Sequence, residues 1–169
     1  SCFEVLIDLK IAKERPAFLS SKEEETPNGA ILEGMHFLCA EDNELNAEIL
    51  TELLKMKGAE CTICENGQKV VETFEQSVPG AYDMILMDVQ MPVMNGYDAA
   101  RAIRRSLHKQ AETIPIIAMT ANAFSEDIRH SLTAGMNAHI SKPVDMMLLE
   151  KTIRSIKSGG GSETQADKE

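Results

Sequence analysis

From residue 35 onward, short apolar runs alternate with longer stretches whose apolar residues fall three or four positions apart. The runs at 35–40, 60–64, 84–88, 115–119 and 138–141 have strand length. Pro115 opens its run, where a missing N–H is tolerated. Five helical patterns lie between and after these runs. The first covers 43–57, with Leu45, Ile49 and Leu53 at helical spacing and Gly58 as its stop. Asn66 can cap a second that carries Val70, Val71 and Phe74, and Asn95 a third that carries Tyr97, Ala100 and Ile103. Phe124, Ile128 and Leu132 form a stripe that reads as core and ends at Gly135. Asp145 can cap a last helix carrying Leu149, Ile153 and Ile156.

Five strands, each followed by a helix, demand a parallel sheet covered on both faces, an α/β doubly wound architecture. Ligands of such sheets bind beyond the carboxyl ends of the strands, at the topological switch point. The polar residues of this chain collect at those ends: Glu41-Asp42 after the first strand, Asp88 closing the third, Thr120 after the fourth, Lys142 after the fifth. An acid pair after a strand is often only a helix cap, and Lys-Pro only a turn. Four such groups on one edge argue for a site. Three converging carboxylates would repel one another unless a hard divalent cation neutralised them. Mg²⁺ suits oxygen-only ligands with several waters. A backbone carbonyl from the loop after Asp88 could add a ligand, and Glu41 would hold a metal-bound water. A carboxylate beside Mg²⁺ can act as a nucleophile toward phosphorus. The Thr120 hydroxyl and the Lys142 ammonium would then each neutralise a phosphoryl oxygen.

The rest of the chain reads differently. Residues 2–9 alternate weakly, as a strand does, and residues 10–30 have the charged, Pro- and Gly-broken composition of a linker. The expected organisation is 1–12 as the end of a preceding domain, 13–32 as linker, 33–157 as the globular unit and 158–169 as a flexible tail. No apolar run is long enough to span a bilayer, and the start lacks the basic and apolar regions of a signal peptide. The net charge of −10, without a basic run, argues against nucleic acid as a direct partner. Cys39, Cys61 and Cys64 fall in strands and read as reduced core thiols of a cytoplasmic protein. The Cys61–Cys64 C-x-x-C lacks a second ligand pair for zinc, and its cysteines should face opposite sides of their strand.

The segments Glu41-Asp42-Asn43, Asp88-Val89-Gln90-Met91-Pro92-Val93-Met94-Asn95-Gly96, Thr120-Ala121 and Lys142-Pro143 resemble, in order, those of the bacterial response-regulator receiver domain. The resemblance covers about residues 33–157. It implies a flavodoxin-like sheet in the order 2-1-3-4-5. It also implies that Asp88 is a phosphoacceptor, Asp42 a direct Mg²⁺ ligand, Glu41 a ligand through water and Gln90 the donor of a main-chain carbonyl to the metal. Thr120 and Lys142 would bind the phosphoryl group. Glu41 stands where many members have Asp. His139 stands where the family usually has Tyr or Phe, as the aromatic switch that moves with Thr120.

The stretch from Ser1 to Leu9 resembles the last strand of a histidine-kinase ATP-binding domain. That would make the chain the C-terminal receiver of a hybrid sensor histidine kinase, whose parent could be membrane-anchored elsewhere. The implied partners are a histidine kinase domain, in cis or in trans, and a histidine phosphotransfer domain docking near the first helix. A homodimer stays open, and no direct membrane contact is expected. The chain carries no ATP site, although a receiver catalyses its own phosphorylation and dephosphorylation. Two rival readings stay open: a degenerate receiver used only for docking, and a phosphatase with Asp88 as nucleophile. The second needs another Asp where this chain has Gln90.

Overall fold

The computed structural model describes residues 31–121 and 125–159. The order of elements is β1 (His36–Ala40), α1 (Glu44–Met56), β2 (Glu60–Cys64), α2 (Gly67–Gln76), β3 (Met84–Asp88), α3 (Gly96–Arg105), β4 (Ile116–Thr120), α4 (Ser125–Thr133), β5 (Ala138–Ser141) and α5 (Met146–Lys157). The strands form one parallel sheet in the order β2-β1-β3-β4-β5. This is the doubly wound, flavodoxin-like order. The order in which the chain adds strands reverses between β1 and β3, which opens a crevice at their carboxyl ends.

Burial follows from this layering. β3 and β4 are central, and all their residues are buried. The edge strand β2 is half solvated. Side chains alternate between two cores. Phe37, Cys39, Met84, Leu86, Ile117 and Met119 face the layer that holds Leu50 and Leu54 of α1 and Leu149 and Ile153 of α5. Leu38, Ala40, Ile85, Met87, Ile116 and Ala118 face Val70 and Phe74 of α2 and Ala99, Ala100 and Ile103 of α3. Asn43, Asn66, Asn95 and Asp145 cap their helices, each accepting from backbone N–H groups of the first turn.

Several expectations need correction. Strand β4 begins at Ile116, not Pro115, although the Pro115 carbonyl still accepts from Ile85 N at 2.9 Å. The α4 stripe is not core: Leu132 is 42% exposed and Ile128 is half-buried, whereas Ser131 is buried. Ser131 can be buried because its hydroxyl donates to Asp127 O at 2.8 Å. On α1 the buried face is Ala47, Leu50 and Leu54, while Leu45 and Ile49 face solvent. Leu32, placed in the linker by composition, is 1% exposed and belongs to the α1/α5 core. Cys61 is only half-buried. It packs on the α1/α5 layer and Cys64 on the opposite one, as strand alternation requires. The kinase-like strand, most of the linker and the tail beyond residue 159 lie outside the described residues, as does Phe124.

Candidate functional site

Alternation along the strands sets the site. Cys39, Leu86 and Ile140 all face the α1/α5 layer. Two residues further on in each segment stand Glu41, Asp88 and Lys142. They therefore share one face at the carboxyl edge of the sheet.

The Lys142 Nζ donates to Glu41 Oε2 at 2.6 Å and to Asp88 Oδ2 at 2.7 Å. The Glu41 and Asp88 side chains are 3% and 6% exposed, so this is a desolvated triad and not a surface pairing. Asp42, which is exposed, completes an acidic group: carboxylate oxygens of Glu41, Asp42 and Asp88 lie within 4.8 Å of one another. Three hard oxygen donors at this separation, partly neutralised by an ammonium, are a donor set that fits Mg²⁺.

Burial raises the Asp88 carboxyl above its ordinary value, against the lowering pull of its bonds to Lys142 and the Gln90 N–H. For Lys142, burial would favour the neutral amine. Its bonds to Asp88 and Glu41 outweigh that and hold its pKa above the ordinary lysine value. The ammonium thus stays charged, and the acid beside it carries its charge at a cost.

The loop after Asp88 is tightly tied. Gln90 N donates to Asp88 Oδ1 at 3.0 Å, and Val89 N donates to Met119 O at 3.1 Å. Met94 N donates to Pro92 O at 2.7 Å across Val93, whose φ is +68°. This is a γ-turn, centred on a β-branched residue that rarely takes a positive φ. Gly96 N donates to Val89 O at 3.0 Å. A Cβ at Gly96 would collide with the Asp88 carbonyl, so the turn into α3 needs glycine there.

Thr120 is buried at the end of β4, one register step beyond Met119, the residue paired with Asp88. Its carbonyl accepts from Lys142 N at 2.7 Å. His139, half-buried on β5, pairs with Ala118, and burial lowers its pKa below the ordinary histidine value. Direct bonds join Glu41, Asp88, Gln90, Thr120 and Lys142, with Asp42 beside them. His139 has no bond to this group among the described contacts.

A family model, the response regulator receiver domain, matches residues 37–154. Probable histidine kinase 2 of Oryza sativa subsp. indica is 34% identical over 148 residues, covering 81% of this chain and 14% of that protein. This chain therefore spans a small part of that curated relative's length. The receiver domain of the sensor histidine kinase PA1611 from Pseudomonas aeruginosa, solved with a magnesium ion coordinated in its active site cleft, is 36% identical. It superposes with a TM-score of 0.64 over 73% of this chain and 98% of that one. The Saccharomyces cerevisiae complex of the histidine phosphotransfer signaling protein Ypd1 with the receiver domain of its downstream response regulator Ssk1 aligns at 28% identity. Its TM-score is 0.63, over 78% of this chain and 94% of that one. These relatives come from a plant, a bacterium and a yeast, so the likeness is to the receiver domain as such and not to its bacterial members alone.

Proposed function

The chain belongs to the response regulator receiver domain family, and from that premise we propose that Asp88 accepts a phosphoryl group from a phosphohistidine in a phosphorelay. The observation that carries this reading is the Lys142 ammonium held at 2.7 Å from the Asp88 carboxylate inside an acidic cluster.

An Asp88 carboxylate oxygen attacks the phosphorus, the P–N bond to the donor imidazole breaks, and that nitrogen keeps the electron pair and takes a proton. The product is an acyl phosphate. Lys142 pairs with a phosphoryl oxygen as charge leaves the aspartate, and the Thr120 hydroxyl donates to another. Mg²⁺, held by Asp42 and Asp88 with Glu41 acting through water and the Gln90 main-chain carbonyl completing the set, would neutralise phosphoryl charge when bound. Movement of Thr120 toward the new phosphate, with His139 following, would carry the change to β5 and its neighbours.

The partner is a protein. Exposed Ile49 of α1 lines a groove with Leu53, Pro143 and Val144 directly beside Lys142. An apolar rim next to the reacting carboxylate suits a helical phosphodonor or phosphoacceptor surface, a histidine kinase domain or a histidine phosphotransfer domain. We place the chain as the C-terminal receiver (33–157) of a hybrid sensor histidine kinase on the cytoplasmic side. No helix among the described residues is long and apolar enough to cross a membrane.

The test is an intact mass after incubation with a small phosphodonor such as phosphoramidate and Mg²⁺. One alkali-labile phosphoryl adduct is expected, absent in Asp88→Asn. Steady hydrolysis of unrelated phosphate esters would favour the phosphatase reading, and no adduct would favour a docking module.

A further inference from the structure

We infer that Asn46, on the first turn of α1, is a positioning residue that holds Glu41 in place for the metal site. The inference rests on the Mg²⁺ reading above.

It begins with an unusual helix start. Asn43 caps α1, and its Oδ1 accepts from Asn46 N at 3.0 Å. Asn46 is therefore the third helical residue. In a capping box a Glu or Gln there reaches back to the N–H of the cap. Asn46 is one methylene too short for that, and its amide turns elsewhere: Nδ2 donates to Glu41 Oε1 at 3.2 Å. The cap's own N–H goes to the same oxygen, at 3.3 Å. Glu41 thus takes the place of the missing capping-box acid, although it precedes the helix.

This fixes both oxygens of a buried carboxylate. Oε1 is held from the α1 side by Asn46 and Asn43, and Oε2 faces Lys142 at 2.6 Å. A glutamate has one more rotatable bond than the aspartate it replaces in many receivers, so it has more freedom to lose. The Asn46 amide donates to Oε1, and it removes that freedom before any ion arrives. Outer donors that orient a metal-binding carboxylate act in this way.

The Asn46→Ala variant keeps the fold, because residue 46 gives its backbone N–H to Asn43 whatever side chain it carries, and Ala is the best helix former. The experiment is a Mg²⁺ titration by calorimetry on the full chain, comparing wild type, Asn46→Ala, Glu41→Asp and the double variant. Asn46→Ala should weaken Mg²⁺ binding on the order of tenfold, the low end for an outer-shell partner. In the Glu41→Asp background the same change should cost nothing, since the shorter carboxylate no longer reaches the Asn46 amide. That coupling is what a merely structural asparagine would not produce. Unchanged affinity in Asn46→Ala, or an equal loss in both backgrounds, overturns the inference while leaving the phosphoacceptor reading intact. A wild-type chain that binds no Mg²⁺ overturns both.

Discussion

Lys142 and Asp88 stand 54 positions apart, yet the ammonium lies 2.7 Å from the carboxylate, with Glu41 2.6 Å away on its other side. A cation between two buried acids shields them from one another while no metal is bound. It is also already placed to follow negative charge from the carboxylate to an attached phosphate. One side chain thus serves the resting and the modified forms.

The bonds to Lys142 and Gln90 do not fully offset the burial of Asp88. Burial raises its pKa above the reference value of 3.8. The folded protein therefore holds this proton more tightly than the unfolded chain, and stability falls as pH rises from about 3.8 through the folded pKa. At neutral pH the charge on Asp88 is a net cost. Asp88→Asn should remove that decline and stabilise the metal-free protein at pH 7. A gain of about 1 kcal/mol would raise Tm by about 4 °C. Thermal melts of both proteins across this range test it; a less stable Asp88→Asn at neutral pH would contradict the account.

Mg²⁺ should reverse the cost. A ligand bound only by the folded state stabilises by about 2.7 kcal/mol at a hundredfold excess over its Kd. Asp42 is the exposed member of the acidic group and keeps no bond to Lys142, so Asp42→Asn should fold normally and lose most of the Mg²⁺-dependent rise in Tm. An undiminished rise in Asp42→Asn would remove Asp42 from the ligand set.

The sheet and its functional edge were legible because both depend on strand ends. Apolar runs such as Met84 to Met87 end in an acid, and topology alone brings such ends together. Helix faces were harder to read. α1 carries apolar residues on two sides, and nothing local favours Leu50 and Leu54 over Leu45 and Ile49 as the buried set. On α4 the buried residue is Ser131, which a hydrophobic pattern cannot find because a hydrogen bond to Asp127 O makes it possible. The hold of Asn46 on Glu41 was equally hidden. It depends on one methylene at the third position of a helix, which matters only once the strand before that helix is placed.

Cys61 differs from its neighbours in reactivity. The neighbouring Cys39 thiol and the Thr51 hydroxyl, 3.4 Å from its sulfur, lower its pKa to about 6, against the opposing effect of burial. Cys39 and Cys64 are both raised by burial. At pH 7 the half-buried Cys61 is mainly thiolate, the reactive form. Brief treatment with iodoacetamide should alkylate Cys61 before Cys39 or Cys64, as peptide mass mapping would show. Equal labelling of all three would mean that Cys39 does not stabilise the thiolate.

Arg104 ties two loops together, with no carboxylate partner among the described residues. Its guanidinium donates to Gly135 O, Ala111 O, Ile114 O and Asn137 Oδ1, at 2.8 to 2.9 Å. These bonds join the end of α3 to the loop before β4 and to the turn between α4 and β5. Arg104→Met would preserve bulk but leave the carbonyls short of donors, at about 1–3 kcal/mol for each buried one. A loss of about 3 kcal/mol is expected from urea unfolding, with phosphorylation at Asp88 retained below the transition. A loss under 0.5 kcal/mol, the range of ordinary surface changes, would show that water replaces the guanidinium freely.

His139 gives the other pH-dependent element of the site. Burial lowers its pKa below the reference value of 6.5, so the unfolded chain binds this proton more readily than the folded one. Its contribution is fully present above 6.5 and is lost as pH falls from there through the folded pKa. His139→Phe restores the aromatic type that resembles the family pattern and cannot be protonated. It should flatten the stability profile below pH 6.5 without changing it at pH 8, apart from a constant packing offset. If His139 also follows Thr120 on phosphorylation, partner binding by the phosphorylated wild type should weaken over the same acid range, and binding by the phosphorylated His139→Phe should not. Parallel pH profiles for the two proteins, in stability and in partner binding, would show that the imidazole titrates as freely on β5 as in water and has no part in the switch.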